Sequence, residues 1–302
     1  MPSYLITALT VACALFMENL DSTVIATSLP AIANDLHEDP ISLKLALTSY
    51  LISLAIFIPA SGWAADCFGA RTIFRAAILV FTAGSILCGM AGTLLGLVGA
   101  RVVQGLGGAM MVPVGRLLLL RSVERSELVN ALSYLTVPAL LGPMTGPLLG
   151  GFITTYFHWR WIFWINVPIG AVGIILATMY IKDVKEEASG PLDLTGFLQC
   201  GFGLAFLLFG LGGAGRGLIP GQAAIFLAGA GAVALSAYVL HARHAPFPLL
   251  DLKLLSIKTF RASVIGGSLF RIGIGSIPFL LPLMLQAGFG MNALQSGSIT
   301  FV

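Results

Sequence analysis

Residues 161–181 read WIFWINVPIGAVGIILATMYI, a run of 21 residues without a charged side chain. An α-helix of that length, at about 1.5 Å per residue, crosses a hydrocarbon core of about 30 Å. Similar apolar runs recur on both sides of it. We place spans at residues 4–30, 43–63, 73–93, 95–120, 131–155, 161–181, 194–212, 222–241 and 261–286, with a tenth beginning near residue 294. The pattern predicts an all-α, polytopic membrane protein with about nine and a half transmembrane helices.

The composition also indicates lipid as the main solvent. Apolar side chains make up 57% of the 302 residues and charged ones 10%, against roughly 25% charged in soluble domains. The four cysteines are far apart and lack CxxC or metal-ligand spacing, so neither a disulfide framework nor a metal site is expected. The chain stops at Val302 inside the tenth apolar run. We therefore expect it to be part of a longer protein.

The connections between spans alternate in charge. Those after even-numbered spans carry ten basic residues: Arg71, Arg75, Arg121, Arg125, Lys182, Lys185, Arg243, Lys253, Lys258 and Arg261. Those after odd-numbered spans carry three: Lys44, Arg160 and Arg216. Basic residues concentrate on the cytoplasmic side of membranes. The pattern predicts a multi-pass protein of the cell (inner) membrane with a cytoplasmic N-terminus, and it gives no support to a nucleic-acid partner.

Four ionisable residues lie inside spans: Glu18, Asp21, Arg101 and Arg271. Arg116 lies nearer the end of a span. Each costs several kcal/mol in lipid unless it is paired or hydrated, so each is a functional candidate. Glu18 and Asp21 are three residues apart and share a helix face. Their proximity disfavours joint ionisation, so at least one should be able to take up a proton near neutral pH. A static ion pair that only holds helices in register is the alternative.

Arg101 is the expected partner of Asp21, because the two residues have similar depths in spans of opposite direction. Breaking a buried pair leaves an uncompensated charge, so protonation of Asp21 would act as a switch. Arg271 lies near the middle of the ninth span and is expected to face Glu18 across a central cavity. Snorkelling or a purely structural contact is an equal alternative for Arg271.

At these residues the sequence resembles the major facilitator superfamily, specifically its drug:proton antiporters with fourteen spans. Residues 20–30, LDSTVIATSLP, are similar to the L-D-x-T…A-L-P signature of that family. The resemblance implies that Asp21 is the proton-coupling carboxylate, with Glu18 and Arg101 beside it. Residues 101–108, RVVQGLGG, resemble the buried-arginine motif of the family, and Gln104 in this motif is a candidate for the cavity wall.

Two further motifs belong to the same resemblance. Residues 62–71, GWAADCFGAR, are similar to the gating motif G-x-L-A-D-R-x-G-R-R, although Cys67 and Ala70 replace basic residues. The matching gating residues are Gly62, Asp66, Gly69 and Arg71. Residues 142–151, GPMTGPLLGG, resemble the antiporter motif, in which Ser133 stands at the usual first glycine. Its implied functional residues are Ser133, Gly142, Gly146, Pro147, Gly150 and Gly151, which would bend a helix at the interface between the halves.

The fourteen-span branch also implies a domain plan. Residues 159–163, 166–170 and 192–196 resemble it, although the tryptophans could equally be interfacial anchors. The plan divides the chain into an N-terminal six-helix bundle (1–182), a cytoplasmic linker (183–193), an extra two-helix hairpin (194–241) and the start of a second six-helix bundle (242–302) with the major facilitator fold.

The function implied by the resemblance is proton-coupled efflux of small amphipathic or cationic compounds by alternating access. The partners would be the substrate, protons and the lipid bilayer, with the proton gradient as the energy source and no cofactor; a monomer is compatible with the pattern. The alternatives are an exporter of one specific metabolite and a non-transporting sensor or structural bundle. The non-transporting sensor or structural bundle would be favoured if Asp21 and Arg101 faced packed helices and not a water-accessible cleft. An enzyme is not expected, and residues 1–302 alone are not expected to transport.

Overall fold

The computed structural model describes residues 3–39, 42–181, 190–214, 219–275 and 277–301. These ranges contain helices joined by turns. The α-helices are α1 (Ser3–Leu36), α2 (Lys44–Phe57), α3 (Ser61–Phe68), α4 (Ala70–Met90), α5 (Leu94–Ser122), α6 (Leu128–Tyr156), α7 (Trp161–Trp164), α8 (Asn166–Tyr180), α9 (Leu194–Ala214), α10 (Gly221–His244), α11 (Lys258–Ile274), α12 (Ile277–Leu283) and α13 (Ala293–Phe301).

Eight helical segments in the described ranges are long and apolar enough to cross a membrane. They are Leu5–Leu36, Lys44–Phe68, Ala70–Met90, Leu94–Ser122, Leu128–Tyr156, Trp161–Tyr180, Leu194–Gly213 and Gly221–His244. These segments correspond to the first eight predicted spans, and the predicted all-α polytopic class is confirmed. The predicted ninth span, 261–286, is instead divided between α11, α12 and a π-helical turn at Met284–Gly288. Pro282 lies just before that turn and cannot donate to the helix ladder.

The connection between the second and third spans is a single residue. α2 continues through a 3₁₀ turn (Ile58–Ala60) into α3, and α4 begins directly after Gly69. Gly69 has φ = 89°, a conformation that side chains with a β-carbon rarely adopt. The glycine of the predicted gating motif therefore makes a reversal that another residue would strain.

Ionic contacts mark the two ends of the bundle. At one end, Asp66 of α3 pairs with Arg121 at the end of α5, with Oδ1 and Nη2 2.8 Å apart. At the other end, Asp35 of α1 pairs with Arg160, with Oδ2 and Nη1 2.9 Å apart. Arg160 also donates to the Ala91 carbonyl, which follows α4, at 3.0 Å. Successive spans therefore run in alternating directions, as the charge pattern predicted.

Glycines bring α6 into close contact with α1. A β-carbon added at Gly142 would lie 2.9 Å from the Asn19 β-carbon, and one at Gly150 would lie 2.7 Å from the Val24 carbonyl. In lipid, such small residues allow helices to approach closely, and the association depends on packing. The helix that carries Asp21 is thus fitted to the helix that carries the predicted antiporter motif.

The predicted extra hairpin is an antiparallel pair, α9 and α10. Gly210 faces the Ala228 backbone and Gly231 faces the Leu207 backbone, which draws the two helices together. α9 also packs on α2, where the Phe57 and Phe197 rings lie 5.9 Å apart. Residues 183–189 of the predicted linker lie outside the described residues, as do Lys182, Lys185 and Arg216 of the charge pattern. The division into domains stays a prediction.

Candidate functional site

Asp21, on α1, is the centre of a buried polar network. Its Oδ2 lies 2.5 Å from Nη1 of Arg101, and both side chains are almost fully buried. Its Oδ1 accepts hydrogen bonds from Gln104 Nε2 and from Asn166 Nδ2, each at 2.9 Å. The contact between Asp21 and Arg101 that the sequence predicts is therefore present, while its role in coupling stays a prediction.

Arg101 is held by more than its carboxylate partner. Its Nη1 also donates to Gln104 Oε1 at 2.6 Å, and its Nε donates to the Ala46 carbonyl of α2 at 3.4 Å. The guanidinium lies over the Tyr50 ring, 4.2 Å from the centroid, as in a cation–π contact. Helices α1, α2 and α5 are thus joined at one buried cation. Gln104, predicted to line the cavity wall, is fully buried inside this network.

Asn166 and Ser85 extend the network to α8 and α4. Asn166 Nδ2 donates to Ser85 Oγ at 2.9 Å, and Ser85 Oγ donates to the Phe163 carbonyl at 2.9 Å. Both side chains are fully buried. The sequence analysis placed Asn166 only in a family-like stretch and did not select Ser85, because it searched the spans for charge. Neutral amides and hydroxyls carry no such signal until their neighbours are known.

Glu18 lies on the same face of α1 as Asp21. A β-carbon added at Gly108 would lie 3.0 Å from the Tyr50 hydroxyl oxygen and 3.6 Å from Glu18 Oε1, so both groups approach α5 at this point. Glu18 Oε2 is buried without a hydrogen-bond partner among the described residues, while the Tyr50 hydroxyl lies beside the Glu18 carboxyl and interacts with it. The nearby charges that act on Glu18 are those of Asp21 and Arg116.

The structure does not bring Arg271 to Glu18. Arg271 lies in the last turn of α11, which is exposed along its length and packs mainly against the 3₁₀ turn Leu252–Ser256. The prediction assumed one straight span over 261–286, and the break after Ile274 removes that assumption. In this structure Arg271 does not face Glu18, and Arg116 is the cationic neighbour of Glu18. The role of Arg271 in a cavity stays a prediction.

The charge pair is surrounded by packed helices. The Arg101 side chain is 0% exposed and that of Asp21 is 1% exposed, so neither lines a water-accessible cleft in this conformation. A buried pair of this kind is held by geometry, because desolvation offsets much of the attraction between the charges. One nitrogen, Arg101 Nη2, is buried without a partner in the described part of the chain.

The predicted gating residues lie together at one end of the bundle. Asp66 binds Arg121, and Arg71 Nη2 donates a hydrogen bond to the Thr178 carbonyl near the end of α8. Gly69 makes the reversal between α3 and α4, whereas Gly62 is exposed and faces open space. The structure thus joins α3, α4, α5 and α8 through this motif.

The predicted antiporter residues lie along α6 and differ in environment. Gly142, Gly146, Pro147, Gly150 and Gly151 are buried. A β-carbon added at Gly146 would overlap Thr23 Oγ1, and one added at Gly297 on α13 would overlap the Pro147 carbonyl. Ser133 is exposed, and its hydroxyl donates to the Val129 carbonyl at 2.9 Å. α6 is therefore packed between α1 and α13.

Asp193 immediately precedes α9 and accepts a hydrogen bond from the Gly196 backbone in its first turn. Burial raises the pKa of this carboxyl, but hydrogen bonds from the Gly196 backbone, the His241 ring and the Leu249 backbone outweigh it, so the pKa lies below the ordinary value. The His241 Nε2 atom lies 2.8 Å from Asp193 Oδ1. In the described ranges, no group of three or more His, Cys, Asp or Glu side chains has the arrangement of a metal site.

Comparisons with known proteins agree with this architecture. The family described as Major Facilitator Superfamily matches residues 11–302. "Putative multidrug resistance protein MdtD" of Pectobacterium carotovorum subsp. carotovorum (strain PC1) is 43% identical over 287 residues, which are 95% of this chain and 61% of the relative. The protein of the same name from Escherichia coli O17:K52:H18 (strain UMN026 / ExPEC) is 42% identical over 288 residues. The chain thus spans about 61% of the length of these relatives.

Solved structures show the fold. A crystal structure of the peptide transporter POT in complex with sulfate matches with a TM-score of 0.66 at 15% identity, covering 97% of this chain and 65% of that one. The D-xylose-proton symporter matches with a TM-score of 0.60 at 14% identity, covering 97% and 64%. At these identities the similarity concerns the arrangement of helices alone.

Proposed function

Because the chain belongs to the major facilitator superfamily, we propose that the whole protein exports small amphipathic or cationic compounds across the cytoplasmic membrane in exchange for protons. The family consists of membrane transporters, so an enzyme is not proposed. The observation that carries the proton-coupling part is the buried ion pair of Asp21 and Arg101, 2.5 Å apart, at the junction of three helices.

The pair provides a switch with two states. While Asp21 is ionised, Arg101 has its counter-charge and α1 is tied to α5. When Asp21 accepts a proton, the ionic attraction is lost and the guanidinium remains buried among Gln104, Tyr50 and the Ala46 carbonyl. An uncompensated buried charge costs several kcal/mol, which favours a conformation in which water or substrate reaches it. The packed surroundings of the pair, which by themselves favour a static bundle, are on this proposal those of an occluded conformation that opens when Asp21 is protonated.

Contacts of α1 provide a route from the switch to the helices that must move. α1 fits against α6 at Gly142 and Gly150, and α6 in turn meets α13 at Gly297. A movement of α1 on protonation of Asp21 would therefore displace α6 as well. This arrangement supports the hinge role proposed for Gly142, Gly146, Pro147, Gly150 and Gly151, with Ser133 outside the packed region.

The orientation follows from the two charged ends of the bundle. The end with Asp66, Arg71 and Arg121 also carries the richer set of basic connections, and we place it in the cytoplasm together with the N-terminus. The end with Asp35 and Arg160 would then face outward.

The names of the relatives support a broad range of exported compounds. A second carboxylate, Glu18, beside Asp21 favours cationic substrates, because a cation can replace a proton or the Arg116 charge near it. An exporter of one metabolite is the alternative within transporters. It would use the same switch, so only substrate profiling separates the two.

The test is gradient-driven ethidium uptake into everted vesicles that contain the whole protein, for wild type, Asp21→Asn and the exposed control Glu124→Gln. We expect uptake in the wild type and the control and its loss in Asp21→Asn, with equal amounts of inserted protein. Proton-driven uptake retained in Asp21→Asn would refute the coupling role. Absence of ethidium uptake in the wild type, together with gradient-driven transport of a single metabolite, would favour the narrow exporter.

A further inference from the structure

Among the described residues, the Asn166 side-chain amide forms hydrogen bonds through its nitrogen, Nδ2, and not through its oxygen, Oδ1. Asn166 is the first residue of α8 and is fully buried. Its Nδ2 donates to Asp21 Oδ1 and to Ser85 Oγ, each at 2.9 Å. Its Oδ1 is buried without a hydrogen-bond partner among the described residues. An unpaired buried carbonyl is unfavourable and uncommon, so its presence beside the site requires an explanation.

The other partners of Asp21 have no free acceptor. Arg101 has only donors. Gln104 donates its Nε2 to Asp21, but its Oε1 already accepts from Arg101 Nη1 at 2.6 Å and lies 3.5 Å from the Cys88 thiol. Within the described part of the chain, Asn166 is thus the side chain bonded to Asp21 that keeps an unused acceptor. Protonation turns one carboxylate oxygen into a donor, which then needs such an acceptor.

We propose that Asn166 is a positioning residue that recognises both protonation states of Asp21, donating to the carboxylate and accepting from the carboxylic acid. This inference rests on the proposed coupling role of Asp21. In the protonation step, an O–H bond of a hydronium ion breaks, an O–H bond forms on Asp21 and a water molecule is released, with no change of oxidation state. A half-turn of the Asn166 amide about its two-fold terminal torsion then places Oδ1 where Nδ2 was, and the Nδ2 hydrogens, which move to the former position of Oδ1, are taken up by water or by the rearranged helices.

The reversal has a consequence for Ser85. In the present state Ser85 accepts from Asn166 and donates to the Phe163 carbonyl. After the half-turn, the Asn166 oxygen faces both Asp21 and Ser85, and the Ser85 hydroxyl turns to donate to it. The hydrogen bond from Ser85 to Phe163 is then broken. Protonation on α1 would thereby loosen α4 from α7, which precedes the start of α8.

The first test uses two substitutions of nearly equal shape, Asn166→Thr and Asn166→Val, in gradient-driven ethidium uptake by everted vesicles with the whole protein. The threonine hydroxyl can donate and accept, and the valine methyl can do neither. We expect Asn166→Thr to stay within about tenfold of the wild-type rate and Asn166→Val to fall at least about another tenfold. Equal rates in two properly inserted variants would overturn the inference, while the Asp21→Asn result stands by itself.

A second test does not depend on transport. The whole protein, with ¹³C-labelled asparagine side-chain carbonyls, is reconstituted in liposomes and followed by infrared difference spectroscopy from about pH 5 to about pH 9. We expect an asparagine carbonyl band to change with the same midpoint as the Asp21 acid band. The change should vanish in Asn166→Thr and persist in Asn34→Ala, an exposed control on α1.

The outcomes of the infrared test separate the two proposals. If the Asp21 band titrates while every asparagine band stays constant, the role of Asn166 is refuted and the coupling role of Asp21 remains. If the Asp21 band does not titrate in this range, the coupling role fails and the role of Asn166 fails with it.

Discussion

Gly146 of α6 lies directly against Thr23 of α1, so that the Thr23 hydroxyl occupies the space that a β-carbon at Gly146 would need. Thr23 cannot easily turn away, because its hydroxyl donates to the Asn19 carbonyl at 3.0 Å in its own helix. Asp21 is two residues before this contact. The position of Asp21 therefore depends on a glycine, the smallest residue, at this point of the neighbouring helix.

Gly146→Val should separate α1 from α6. We expect it to lower the free energy of unfolding by about 1–3 kcal/mol, as overpacking does, and to reduce transport by more than the loss of folded protein explains. Thermal unfolding and vesicle uptake measure the two effects. Gly229→Ala, at a site with open space, serves as the control and should change neither. A Gly146→Val protein with wild-type uptake would contradict the proposed coupling between α1 and α6.

The single substitutions Arg101→Met and Asp21→Leu should each lower the free energy of unfolding more than the two substitutions combined. Arg101→Met leaves a buried carboxylate unpaired and should cost about 3–5 kcal/mol, whereas the double substitution should recover most of that loss. None of the three variants should transport. Denaturant unfolding of the purified proteins provides the double-mutant cycle. Proton-driven uptake by the double variant would show that the pair serves only as a static contact.

The pair of Asp66 and Arg121 should tolerate exchange of its charges. Its side chains are 29% and 16% exposed, so the direct contribution of the pair to stability is expected to be below about 1 kcal/mol. We expect Asp66→Arg and Arg121→Asp each to reduce uptake, and the double variant to regain part of it. Failure of the exchange, with both single variants active, would indicate that the contact has no part in gating.

Cysteine labelling tests the orientation. Glu38→Cys and Glu124→Cys place exposed thiols at opposite ends of the bundle. In intact cells, a membrane-impermeant maleimide should label Glu38→Cys and leave Glu124→Cys unmodified until the cells are opened. These residues stand outside the buried network, so insertion should be normal. The reverse labelling pattern would place the N-terminus outside the cell.

The contribution of Asp193 should depend on pH. Its pKa is lower in the folded protein than in the unfolded chain, so the carboxylate stabilises the fold at pH values above the unfolded value of about 3.9. That stabilisation is lost as the pH falls through the lower, folded value. We expect Asp193→Asn to unfold at a lower temperature than wild type at neutral pH, and the difference to shrink below about pH 4. A difference that does not depend on pH would assign the effect to packing.

Sequence alone predicted the helices and the main ion pair because charge and apolar length are local signals. Asp21 and Arg101 are conspicuous in apolar runs, and counting residues from the span ends gives their depths. Asn166, Ser85 and Tyr50 could not be selected in this way, since neutral polar residues occur in many spans and acquire a role only through their neighbours. Arg271 was placed near the middle of a straight span because residues 261–286 are mostly apolar in sequence, but in the structure they do not form one unbroken helix.

The single-residue reversal at Gly69 bears on how the protein enters its membrane. No hydrophilic loop lies between α3 and α4. The second span therefore cannot insert first with a flexible loop left in water until the third span has been synthesised. The backbone carbonyls and amides at the turn are covered only when both helices are present. The second and third spans should therefore be inserted together, as one helical hairpin, and a longer connection would allow them to enter separately.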